Sequence, residues 1–184
     1  MDDRDTRCHP GDEAETPVRG RLEAGVRLLV LSGLVLAALG FVGHYAGWVL
    51  VTTTVGPTLY ILLAHPDSKA SSFRSGVVGH GCAVAVGLGV LAAFGLWNHP
   101  SVPQVGSDTP AQIGAEALSV ALTLFLLALL DAHHPPSAAT VLLITSGIAR
   151  PGPPLYGMLA GLGAILLIGP MLAALPGAGR KSGG

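Results

Sequence analysis

Leu126-Leu127-Ala128-Leu129-Leu130-Asp131-Ala132-His133-His134-Pro135-Pro136-Ser137-Ala138-Ala139-Thr140-Val141-Leu142-Leu143-Ile144 is the stretch that decides how this chain folds. It places an aspartate, two imidazoles and a double proline where the apolar sequence on either side ought to be continuous. Pro135 and Pro136 have no backbone N–H to donate, and Pro135 steers His134 away from helical angles, so the helix arriving through Leu124 to Leu130 is expected to stop here. Pro136 then suits the first turn of a second helix, with the hydroxyls of Ser137 and Thr140 beside its unpaired amides. In a bilayer such a break survives only where protein or a water-filled cavity satisfies the freed backbone groups. Residues 131–144 are therefore the first candidate for function.

The surrounding composition places the break in a membrane. Half of the 184 residues are hydrophobic, 26 are glycine and only 11% are charged, against about a quarter in soluble domains. More than half of the charged residues fall in the first 23 positions, which leaves the remainder poorer still. A net charge of -1 offers no concentrated basic face, so a nucleic-acid partner is excluded. Cys8 and Cys82 lack the spacing of a metal knuckle or a disulfide framework and read as free thiols.

Residues 1–24 mix acidic, basic, proline and glycine residues without apolar periodicity and are expected to form a disordered polar tail. The mixed charge and the absence of an obvious cleavage site predict that the first span is retained. Residues 25–175 form the transmembrane domain, and 176–184 a short polar C-terminal tail. Apolar runs lie at Val26–Gly43, Trp48–Ala64, Gly76–Leu96, Ile113–Leu130, Ser137–Ile148 and Leu155–Leu175. Four of the six approach the roughly 20 residues needed to cross a bilayer as a helix. Gly56-Pro57 interrupts the second run, and the fifth is short enough to suit a half-helix, re-entrant or broken segment. Tyr45, Trp48 and Trp97 stand at run ends, where amphipathic rings prefer the headgroup level. The crowded glycines read as close helix packing. Gly79 to Gly81 has neither the strand nor the full fingerprint that a nucleotide site needs. The fold class expected is all-α, a polytopic membrane helical bundle with broken or re-entrant helices and an internal two-fold repeat.

That repeat appears on sliding the sequence by 79 residues. Gly56-Pro57-Thr58 then lies over Pro135-Pro136-Ser137, and Gly76–Leu96 over Leu155–Leu175. Interrupted segments at corresponding positions are the sequence pointer to a transporter site. With the N-terminus cytoplasmic and all six runs crossing, Arg19, Arg21, Arg27, Lys69, Arg74, Arg180 and Lys181 lie inside and Arg150 alone outside, as the positive-inside rule prefers. A re-entrant fifth run gives a slightly poorer partition. Three crossings per half would make the halves inverted, and two would make them parallel.

Ionisable residues at membrane depth are costly and default to functional candidates. Asp131, His133 and His134 border the break, His80 lies inside the third run, and Glu116 lies near enough to a run end for interface snorkelling to explain it. Helix starts at Thr58 and Ser137 would expose amides and positive dipole ends, an anion site in principle. Neighbouring histidines can add positive charge or carry a proton, since an imidazole titrates near 6.5. The substrate-binding residues expected are His134, Pro135, Pro136, Ser137, Thr140, Thr58 and His80, gathered in one place. The rival reading is a metal- or haem-binding membrane protein with ligands from His44, His65, His80, His133, His134 and Asp131. No serine or cysteine nucleophile is paired with a base at helical spacing, so no enzyme is expected, and no catalytic residue, cofactor or resident metal is nominated.

His134-Pro135-Pro136 followed by Ser137-Ala138-Ala139-Thr140-Val141-Leu142-Leu143 resembles the signature of the HPP family of integral membrane proteins. Gly56-Pro57-Thr58, His65-Pro66, Arg74 and Gly79-His80 are similar to that family's first-half pattern. The resemblance covers about residues 26–175. The chain departs from it in the shorter first break and in the loop from Lys69 to Ser75, which lacks the family's asparagine. The resemblance implies at least four spans and, since some members are linked to nitrite transport, an inorganic anion as substrate. A transporter or channel in the cell inner membrane, assembled as a homo-oligomer because so short a bundle encloses little alone, is the expectation.

Overall fold

Local signals divide the chain into helices. The computed structural model describes residues 18–175, with helices α1 Val18–Ala46, α2 Val55–Ala64, α3 Phe73–Ala93, α4 Val102–Val105, α5 Pro110–Leu129, α6 Pro136–Thr145 and α7 Pro153–Ala173. A 3₁₀ turn at Lys69–Ser71 precedes α3. The Ser72 hydroxyl accepts the amide of Ser75 to open α3, and Thr109 with Gln112 forms a capping box ahead of Pro110 to open α5. Among the described residues there is no strand. Residues 18–24, expected as the end of a polar tail, are instead the first turns of α1. Arg, Leu, Glu and Ala there are good helix formers, and the Arg27 guanidinium donates to Leu172 O at 3.2 Å, tying this end of α1 to the end of α7. Residues 1–17 and 176–184 lie outside the described residues.

The ends of α1, α3 and α5 follow one scheme. Gly47 and Gly95 take positive φ, and the next residue donates back across the last turn: Trp48 N to Gly43 O and Leu96 N to Leu91 O, each 2.9 Å. This is the Schellman arrangement, in which a left-handed residue satisfies the last carbonyls. α5 ends the same way, with Asp131 at φ 48° in the glycine's place and Ala132 N donating to Leu127 O at 2.9 Å. The helix before the double proline thus stops at Asp131, four residues ahead of Pro135.

α1, α3, α5 and α7 are long and apolar enough to cross a membrane. At 1.5 Å per residue the 21 residues of α3 and of α7 span about 31 Å, the thickness of a hydrocarbon core. Gly76 packs against Leu166, so α3 and α7 run antiparallel, and the bond from Arg27 to Leu172 sets α1 antiparallel to α7 as well. The two interrupted runs also pass from one end of the bundle to the other. Val49 and Leu50 lie on Gly157 and Gly161, and Leu62 on Gly169, so non-helical residues 49–54 and then α2 descend beside α7. His134 and Ser137 lie on Gly79 and Ile144 on Gly87, so residues 131–135 and then α6 ascend beside α3. Each broken run is a non-helical leader followed by a 10-residue helix.

Six traverses put three in each half, and the halves are inverted. α7 begins and ends 80 positions after α3, and α6 begins and ends 81 after α2, close to the 79-residue shift expected. The short helix of each half packs on the last long helix of the other half: α2 on α7 and α6 on α3. Leu59, Leu62, Met158, Leu162 and Ile165 are buried in one half of the core, with Val141, Ile144 and Leu91 in the other. Glycines at these contacts let backbones meet; a methyl group on Gly157 would come within 2.6 Å of Val49 O. Lys69 and Arg74 mark one end of the bundle. Arg150 and the exposed rings of Tyr45, Trp48, Trp97 and Tyr156 mark the other.

Candidate functional site

The two breaks converge on one imidazole. His80 is the eighth residue of α3, about 5 Å along the axis from that helix's midpoint. Only 5% of it is exposed. Its Nδ1 lies 2.8 Å from Thr140 Oγ1, one turn into α6, and its Nε2 lies 3.2 Å from Thr58 Oγ1, one turn into α2. The same Nε2 lies 3.1 Å from His134 Nε2, with the rings edge to face at 4.7 Å between centroids. His134 is itself buried, and its Nδ1 is 2.8 Å from Ala70 O in the 3₁₀ turn.

These partners determine where the hydrogens are. A carbonyl oxygen only accepts, so His134 Nδ1 carries a hydrogen toward Ala70 O and, in the neutral ring, Nε2 is bare. His80 Nε2 therefore carries the hydrogen donated to His134 Nε2, and His80 Nδ1 accepts from the Thr140 hydroxyl. Thr58 donates its own hydroxyl to Thr54 O at 2.8 Å, so its oxygen is a second acceptor for the His80 N–H. The neutral cluster is satisfied throughout, with one N–H between the two Nε2 atoms.

Of the seven residues nominated from sequence, Thr58, His80, His134 and Thr140 are in direct contact. Ser137 joins them through its hydroxyl, which donates to His134 O at 2.7 Å, and Pro136 is buried beneath with its carbonyl 3.5 Å from Thr140 Oγ1. Pro135 does not line the cluster: its ring is exposed, because it holds the outer side of the turn that enters α6. Three contributors were not foreseen. Thr54, Ala70 and Gly79 supply a carbonyl, a second carbonyl and the bare surface on which His134 and Ser137 sit. Thr54 could have been found as the last hydroxyl before the first break, and Gly79 as the small residue next to His80. The backbone role of Ala70 leaves no mark in its side chain.

The alignment of hydroxyls also changes. Thr58 and Thr140 both reach four residues back to a carbonyl, Thr54 O and Pro136 O, and both touch His80. Thr58 therefore corresponds to Thr140, not to Ser137. The residue 80 positions beyond His80 is Ala160, so the inverted frame holds one imidazole site and not two.

The other histidines named as metal ligands lie elsewhere. His44, His65 and His133 are exposed, with His133 3.4 Å from Asp131, which also pairs with Lys69 at 3.3 Å. Among the described residues no three His, Cys, Asp or Glu side chains gather as metal ligands, so the metal- or haem-binding reading gains no support. Glu116 lies part-buried in α5.

Comparison with known proteins agrees with this architecture. A family model described as the HPP transmembrane region matches residues 17–176. No curated protein and no solved structure matches the chain. The matched span takes in both broken helices, α3, α7 and every residue of the His80 cluster, and the chain belongs to the HPP family of multi-pass membrane proteins.

Proposed function

We propose that this protein is a small membrane transporter or channel, not an enzyme, and that it moves an inorganic anion such as nitrite through the His80 cluster. The observation that carries this is the meeting, near the midpoint of α3, of two broken helices from inverted halves on one buried imidazole. Inverted repeats place substrate where their discontinuous helices meet, because unwound backbone and helix starts there offer polar groups that intact helices hide. The cluster offers two hydrogens to a ligand: the hydroxyl of Thr58 and the N–H of His80. No Asp or Glu is among the buried polar residues described, which favours an anion over a cation. Contacts near 3 Å close the cluster, so the anion must be small and must take over hydrogen bonds that the side chains now give one another. Alternating exposure would follow from rocking α2 with α7 against α3 with α6.

The membrane in this reading is the cell inner membrane, with Lys69 and Arg74 on the cytoplasmic side. The partners are the lipid bilayer, the anion and further copies of the chain, since α1 leaves most of its apolar surface uncovered. The test is uptake of nitrite, with nitrate and chloride as comparators, into proteoliposomes of verified protein density. Wild type should exceed protein-free vesicles, and His80→Ala and Thr58→Val should each lower uptake at least tenfold, the effect of losing one or two buried charge-assisted hydrogen bonds. Wild-type uptake no greater than the protein-free background for all three anions would rule the reading out.

A further inference from the structure

Resting on the transport reading above, we infer that the coupled ion is a proton, taken up on His80 Nδ1, and that proton and anion cross together as a neutral pair. The hydrogen count of the cluster leads there. With His134 Nδ1–H held by Ala70 O and His134 Nε2 accepting from His80, His80 Nδ1 is the ring nitrogen left to receive another hydrogen. Thr140 can accommodate that gain without moving a heavy atom. Its hydroxyl, 2.8 Å from Nδ1, turns from donating to His80 to donating to Pro136 O at 3.5 Å, and its oxygen then accepts the new N–H. His80 becomes an imidazolium; no other group changes its proton.

Among the described residues that charge has no buried counter-ion. The titratable group on α2 is Tyr60 and that on α7 is Tyr156, both more than half exposed, and α3 itself adds exposed Arg74 and half-buried Cys82. α6 brings none, and from α5 comes Glu116, toward the Asp108 end of that helix. At the other end Lys69, Asp131 and His133 are exposed to solvent and pair with one another, where salt screens them. An unbalanced charge on a buried imidazole is costly, and so is an unbalanced anion in the same place; each offsets much of the cost of the other. Proton and monovalent anion therefore bind together or not at all, one to one, and their passage moves no net charge.

Proteoliposomes with an internal pH dye and equal starting pH on both sides test this, with nitrite, nitrate and chloride each applied as an inward gradient. The expected result is internal acidification of one proton per anion and a rate unchanged when potassium and valinomycin impose a membrane potential. Anion entry without acidification, or accumulation that follows the imposed potential, would overturn proton coupling while leaving the anion reading in place. Failure of all three anions to enter would overturn both. Thr140→Val provides a second readout. Without an acceptor for the new N–H the cluster holds its proton less tightly, so half-maximal uptake moves to lower pH by about half to one unit, and Thr140→Ser restores it. An unshifted profile in Thr140→Val would remove His80 Nδ1 as the proton site.

Discussion

Gly79→Ala offers a sharp test of the site, because the added methyl has only one place to go. Built on the backbone it overlaps Ser137 Oγ and comes within 2.9 Å of His134 Cβ, whereas ordinary contact begins at 3.4 Å. The start of α6 must retreat from α3 by about 0.5 to 1 Å, too far for two close-packed backbones to absorb by side-chain motion alone. His134 Nε2 now sits 3.1 Å from His80 Nε2, and such a retreat carries the pair to about 3.6 Å or more, beyond a useful hydrogen bond. Overpacking costs about 1–3 kcal/mol, and a buried ring nitrogen without its partner about 1–3 kcal/mol more. Alanine's better helix propensity returns up to about 1 kcal/mol, which leaves a loss of about 3 kcal/mol. Gly81→Ala is the matched control: nothing lies within 4 Å of a methyl there, two positions along the same helix. Thermal unfolding in detergent should place Gly79→Ala about 6–12 °C below wild type and Gly81→Ala at or above wild type. Anion uptake should fall only in Gly79→Ala. Equal melting temperatures and equal uptake would refute the argument that α6 is seated on a bare Gly79.

Two other outcomes are expected. Asp131→Gly removes a left-handed conformation that costs a non-glycine residue about 1–2 kcal/mol and forfeits an exposed pair with Lys69 worth at most about 1 kcal/mol, so the melting temperature should hold or rise, whereas Asp131→Val should lower it by several degrees. In a background with Cys8 and Cys82 replaced, Ser107→Cys should react with an impermeant maleimide in intact cells and Asp67→Cys only after permeabilisation; the reverse pattern would invert the proposed orientation.

What could be read from the sequence was what side chains determine. Pro135 and Pro136 announced the second break, Gly56-Pro57 the first, and an ionisable residue within an apolar run singled out His80; the structure brings these three features together. The repeat was legible because α3 and α7 have equal length and similar composition. What escaped depended on backbone geometry. Residues 49–54 are as apolar as a helix, yet they run non-helical because the bare faces of Gly157 and Gly161 accept their backbone. The expected end of α5 at Leu130 lies within a residue of the observed one, but the prolines were given as its cause, because Asp131 gives no hint that it will take a conformation proper to glycine. The hydroxyl correspondence went to Ser137 because a shift of 79 matches residue types, whereas the matching geometry of Thr58 and Thr140 lies 82 apart and depends on carbonyls four residues back.

The exchange of short helices between halves has a consequence for how the protein is made. Thr58, Leu59 and Leu62 leave the ribosome early, but the surface that buries α2 belongs to α7, and Gly169 emerges about a hundred residues later. Until then α2 has only α1 and His80 of α3 against it, and the interrupted backbone at residues 49–54 lacks the glycine faces that seat it. The second half is better served, since α3 is already in place when α6 arrives. Insertion and folding are thus separated in time, and the last helix synthesised completes the first half of the molecule. A chain truncated before α7 would insert its earlier spans and still lack a core for α2, so quality control that senses exposed polar backbone in lipid would meet its substrate at the α2 leader, far from the truncation itself.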